Sequence, residues 1–105
     1  MELLGDKMRV WVSSAAFVKP NSAVYVFYNR KKEAIYIGNS TNLEKTFSKY
    51  VETDFEGDEC KQKTQFYQRE FMENPKERQL QLIEEFQKET GNMPFCNAEI
   101  QIETR

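Results

Sequence analysis

Two strand-forming runs separated by a short polar break constrain this chain more than any other feature. Ser22 to Tyr28 (SAVYVFY) and Glu33 to Gly38 (EAIYIG) are dense in β-branched and aromatic residues, and Asn29-Arg30-Lys31-Lys32 lies between them. Such residues favour the pleated, half-buried backbone of a sheet, so the pair reads as a β-hairpin. Val24, Val26 and Tyr28 alternate with Tyr25 and Phe27, which leaves neither face of the strand polar. A hairpin apolar on both faces has to be covered on both. The expected fold class is therefore α+β: a small central antiparallel β-sheet, hairpin plus third strand, flanked by α-helices.

The remaining elements are read from changes of period. Met8 to Val12 reads as a short strand, with Ala15 to Val18 as a connector. From Thr41 the apolar residues Leu43, Phe47, Tyr50 and Val51 stand at i, i+4, i+7 and i+8, and Thr41 with Glu44 has capping-box spacing, which predicts an amphipathic helix. Thr53 to Gly57 reads as an acidic loop, and Thr64 to Phe71 as the third strand. Asn74, Pro75 and Glu77 supply a cap, a first helical position and a capping-box partner for a second helix stopped by Gly91, with Leu80, Leu82, Ile83 and Phe86 as its apolar stripe. After Pro94, Ala98 to Ile102 alternates as a last strand.

The 105 residues suit a single domain. Lys+Arg number 15 against 17 Asp+Glu, a net charge of -2, which argues against a nucleic-acid coat or a polybasic membrane binder and confines any nucleic-acid contact to a local patch. With no histidine, Ser-His triads and histidine-containing zinc sites are excluded. Chemistry would rest on Tyr, carboxylates, Lys/Arg or the cysteines. Cys60 and Cys96 are too few for a disulfide scaffold and read as buried or incidental thiols in a reduced, cytoplasmic protein; no signal peptide, membrane span or membrane partner is expected, and the Asn39-Ser40-Thr41 sequon reads as chance.

Ala23-Val24-Tyr25, ten intervening residues, Tyr36-Ile37-Gly38 and then Asn39 to Lys45 resemble the signature of the GIY-YIG nuclease superfamily. The later helix and Pro94-Phe95-Cys96-Asn97 are similar to the family's second helix and its Pro-x-x-Asn ending. The resemblance covers about residues 20–97 of a single domain spanning 1–105. It implies two motif tyrosines flanking the scissile phosphate, here Tyr25 and Tyr36, with Gly38 and Asn97 also matching. It further implies an arginine in the helix after the hairpin and a magnesium-binding glutamate in the later helix. The first motif glycine is Ala23. Thr46 occupies the arginine position, and Gln79 or Gln81 the glutamate position. Threonine carries no charge for a phosphate, and a glutamine is a weaker ligand than a carboxylate for a hard cation.

Phosphodiester cleavage needs an activated nucleophile, positive charge on the phosphate and usually a metal held by carboxylate. A four-residue hairpin loop would place Tyr25 opposite Tyr36 and Tyr28 opposite Glu33, bringing both phenols to one face. The expectation is thus a GIY-YIG endonuclease-like domain, catalytically impaired, that requires no cofactor and retains DNA binding through Tyr25, Tyr36, Lys45 and Lys49, with the hairpin-tip Arg30, Lys31 and Lys32 as further backbone contacts. One alternative is an active magnesium-dependent endonuclease that recruits Lys45 or Lys49 and takes Mg2+ on Glu77, Glu84 or Glu85. The other is a structural or protein-interaction domain, a homodimer through Phe66, Tyr67 and Phe71.

Overall fold

A computed structural model describes residues 3–97. Its sheet has four antiparallel strands, Arg9–Val10 beside Phe66–Phe71, then Ala23–Tyr28, then Ala34–Ser40 at the far edge. The elements run β1 (Arg9–Val10), α1 (Trp11–Ser14), β2 (Ala23–Tyr28), β3 (Ala34–Ser40), α2 (Leu43–Thr53), β4 (Phe66–Phe71) and α3 (Pro75–Thr90). The α+β architecture and its central hairpin agree with the sequence pattern. β2 lies between β3 and β4, and all six of its residues are buried.

The two apolar faces meet different partners. Tyr25, Phe27 and Tyr67 share one side with Phe47 and Tyr50 of α2, with Trp11 and with Phe55. Val24, Val26, Tyr28 and Ile37 share the other with Leu82 of α3 and with Leu4. Trp11 fills the centre of the first cluster, its ring 4.9 Å from both Phe47 and Phe55 and 5.2 Å from Phe27. On the second side the buried Gln68 holds the N-terminal segment: its Oε1 accepts from Leu4 N (3.2 Å) and its Nε2 donates to Leu4 O (3.0 Å). A buried amide satisfied on both ends fixes one register for the segment it holds.

Several expectations shift in detail. The hairpin register is two residues off the expected one: Tyr25 faces Gly38, Phe27 faces Tyr36 and Tyr28 faces Ala34, with an irregularity between Phe27 and Tyr28. The turn is longer than a four-residue loop because Asn29 folds it, its Oδ1 accepting from Lys31 N and Glu33 N at 3.0 Å and Lys32 adopting a left-handed φ of 63°. At the start of α2 the cap is Asn42, whose Oδ1 accepts from Lys45 N (3.1 Å), not Thr41. Asn74 precedes α3 without a side-chain capping bond, while Pro75 and Gly91 (φ 80°) begin and end it as expected. Leu80 is 59% exposed, since it stands about 200° around the helix from the fully buried Leu82. The first strand is only two residues because Trp11 already begins α1. The acidic stretch continues α2 to Thr53 and then turns tightly over Phe55–Gly57 with left-handed backbone. The strand expected at Ala98 to Ile102 lies outside the described residues. No helix among the described residues is long and apolar enough to cross a membrane.

Candidate functional site

Tyr25 on β2 and Tyr36 on β3 occupy the α2 face of the sheet, with ring centroids 6.1 Å apart. The two-residue register change preserves the parity of the strands, so the phenols share a face as expected although they are not directly opposed. Gly38, directly across from Tyr25, makes the arrangement possible. A Cβ there would stand 2.5 Å from Tyr25 Cζ and hydroxyl and 2.7 Å from Tyr36 Cε2, closer than any real methyl approaches an aromatic ring.

Tyr25 is 2% exposed and lies among the neighbouring phenols of Tyr36 and Tyr50. Burial, reinforced by these neighbouring phenols, pushes the Tyr25 phenol well above the ordinary tyrosine value of 10.0. Burial also raises Tyr36, although the nearby Lys61 cation opposes the shift. Both phenols are neutral at physiological pH and poorly suited to serve as bases.

Lys61, a residue that no sequence motif singles out, completes this cluster. It is 9% exposed; its Nζ lies 4.3 Å from the centroid of the Tyr36 ring, donates to the Tyr50 hydroxyl at 3.4 Å and approaches Asp58 at 3.8 Å. Burial works against its charge, but the Tyr36 and Tyr50 phenols and Asp58 outweigh that effect and hold the ammonium above its ordinary value. The one sequence signal for this contact is the Asp58/Lys61 spacing of three, which is common on any surface.

Of the residues that the resemblance assigns to charged positions, Thr46 and Gln79 are neutral and bonded to β3. Thr46 Oγ1 lies 2.6 Å from Ser40 Oγ. Gln79 reaches β3 across the sheet edge: its Nε2 donates to Ile37 O (2.8 Å) and its Oε1 accepts from Asn39 Nδ2 (2.5 Å). Gln81 instead points outward and accepts from Arg78. Asn97 closes the same edge, its Oδ1 accepting from Ile37 N (2.8 Å) and its Nδ2 donating to Ile37 O (2.9 Å). One amide side chain thus imitates a neighbouring strand at Ile37.

The other candidates stand apart from the tyrosines. Glu77, Glu84 and Glu85 are exposed on α3, the helix of the opposite sheet face; Glu84 pairs with Lys88 at 3.5 Å, and Glu77 lines a shallow depression of about 470 Å³ with Asn39 and Thr41. Among the described residues no three His, Cys, Asp or Glu side chains are grouped to hold a metal ion. Lys45 and Lys49 are exposed on α2, and Lys49 pairs with Glu56 at 3.3 Å. Arg30, Lys31 and Lys32 are exposed at the hairpin tip, with Lys32 Nζ 5.4 Å from the Phe66 ring centroid. The tip and the start of α2 lie at opposite ends of the seven-residue β3, about 20 Å apart, so the two basic groups do not form one patch.

Two further expectations are corrected. Cys60 and Cys96 are not separate thiols: they form a disulfide spanning 36 residues, with Cα atoms 5.6 Å apart, because the chain returns along α3 to the edge of β3. The aromatics expected to be exposed are not: Tyr67 is 1% exposed and Phe66 and Phe71 pack against the cores, whereas Val12 (89%), Phe17 (84%) and Phe95 (73%) stand in solvent. Neither a protein-family model nor a curated protein matches the chain.

Proposed function

We propose that this chain is a GIY-YIG-like domain that does not cleave and that docks a nucleic-acid backbone through its hairpin tip. The observation that carries the non-cleaving half is the fate of two positions: Thr46 and Gln79, standing where the family pattern has arginine and glutamate, are neutral side chains closed on hydrogen bonds with β3. The raised, neutral phenols of Tyr25 and Tyr36 support it too. The binding half is supported by three consecutive exposed cations, Arg30, Lys31 and Lys32, on a turn braced by Asn29. Anisotropy titrations with single-stranded, duplex and branched DNA test it. If all three tip cations meet phosphates, log affinity falls against log salt with a slope of about -2 to -3, and replacing the three by alanine removes binding. No binding at low salt overturns the docking reading, and Tyr25-dependent cleavage in magnesium or manganese overturns the non-cleaving one.

A second reading, a protein-interaction domain, rests on the exposed Val12 and Val51 bordering the cleft between α1 and α2, and on the exposed Phe17 three residues after α1. Light scattering distinguishes it: a dimer that Phe17→Asp dissociates would favour association over DNA docking.

A further inference from the structure

We infer that the Cys60–Cys96 disulfide is a reversible thiol–disulfide exchange site that clasps the C-terminal segment onto the edge of β3. The inference is independent of any nucleic-acid ligand. It rests on the residue next to each cysteine. Lys61, after Cys60, seats its ammonium on the Tyr36 ring, and Asn97, after Cys96, binds both backbone groups of Ile37. The bond therefore joins two loops whose adjoining residues grip consecutive positions of β3.

Among the described residues, the segment 91–97 makes its hydrogen bonds to the sheet through Asn97. α3 ends at Gly91, and residues 91 and 92 are exposed before the buried Pro94, Cys96 and Asn97. Asn97 N donates to Pro94 O at 3.1 Å, which ties the segment only to itself. The disulfide keeps the Asn97 amide at high effective concentration against Ile37, and cutting it leaves the two Asn97 bonds and the packing of Pro94 and Cys96 on a short tether.

The two sulfurs are unequal in access: Cys96 is fully buried, while Cys60 is partly exposed. A reductant of the dithiol class would attack at Cys60. Its thiolate forms a mixed disulfide with Cys60 Sγ as the Cys60–Cys96 bond breaks, and Cys96 leaves as a thiolate and takes a proton. The second thiol of the reductant then displaces Cys60 and closes the reductant's own disulfide, so two electrons pass to the protein and two protons end on its thiols. Release of Asn97 uncovers the N–H of Ile37 on the edge of the sheet, while Ile37 O keeps its bond from Gln79 Nε2.

Amide hydrogen exchange on the full chain, followed at Ile37 by NMR, tests the site. In the oxidised protein the Ile37 amide is protected. Dithiothreitol is expected to raise its exchange by about tenfold or more while far-UV circular dichroism is retained, and oxidised glutathione to restore protection. Asn97→Ala in the oxidised chain gives the reference for a released edge, and Cys60→Ser/Cys96→Ser reproduces the reduced state. Unchanged Ile37 exchange after reduction, a disulfide that dithiothreitol does not cleave in the folded chain, or global unfolding on reduction each overturns the proposal, the last by making the bond a structural staple.

Discussion

Gly38 shows how one residue sets the geometry of this site. Its φ is unremarkable; what matters is the missing side chain, because the Tyr25 ring occupies the space a methyl would need. Gly38→Ala must displace Tyr25 or Tyr36 within a packed aromatic cluster, and overpacking of this kind costs about 2–3 kcal/mol. Urea unfolding followed by circular dichroism is expected to show a loss of that size. Tyr25 makes a second prediction at this scale. Its folded-state pKa is raised above the unfolded value near 10.0, so the folded chain holds the proton more tightly. The associated stability is present below pH 10 and declines as pH rises from there through the folded value. Urea midpoints measured from pH 8 to 11 are expected to fall above pH 10 and to fall less steeply in Tyr25→Phe. The tyrosines were legible in the sequence as a motif. Their burial was not, since it depends on Phe47 and Tyr50 arriving from α2.

Among the elements, legibility tracked how local the determining contacts are. The hairpin and α2 show plainly because β-branched density and a helical stripe are properties of contiguous sequence. The hairpin register does not, because the Asn29 side chain lengthens the turn by one residue through its own hydrogen bonds and the irregularity between Phe27 and Tyr28 adds a second. Leu80 misled for a different reason: it belongs to a run of apolar residues in α3, but only those near the Leu82 meridian reach the sheet. The end of α2 offers a test of backbone conformation. Asp54, Phe55 and Glu56 all have positive φ, at 51°, 60° and 57°. Phe55 is held there by its ring, stacked on Tyr50 at 5.4 Å. Asp54 has no such compensation; its side chain is exposed and its backbone alone caps the helix in the left-handed region. Replacing it with glycine removes the Cβ conflict, and Asp54→Gly is expected to stabilise the chain by about 0.5–1 kcal/mol in urea unfolding. Glycine also gains freedom in the unfolded chain, which is why the gain is not larger.

For the molecule as a whole, the least legible feature is the closure of the fold on itself. Two cysteines in a chain say nothing about their separation in space, and the third dimension that joins them is set by α3 returning along the edge strand. The bond closes a 36-residue loop, for which chain-entropy arguments give about 4 kcal/mol of stabilisation by constraint of the unfolded state. That loss is compatible with a reduced chain that stays folded only if the two aromatic and aliphatic cores supply more. They are well placed to do so: Phe47, Phe27, Leu82, Val24 and Val26 are all fully buried, on both sides of one sheet. A fold of ordinary stability, about 5–15 kcal/mol, then survives reduction with its margin narrowed. Urea unfolding with and without dithiothreitol is expected to show a cooperative transition in both cases, with the reduced midpoint lower by an amount equivalent to about 4 kcal/mol. The denaturant dependence should be steeper after reduction, because the unlinked chain exposes more surface when it unfolds. A reduced protein with no transition at all would mean that the cores cannot hold the sheet without the covalent loop.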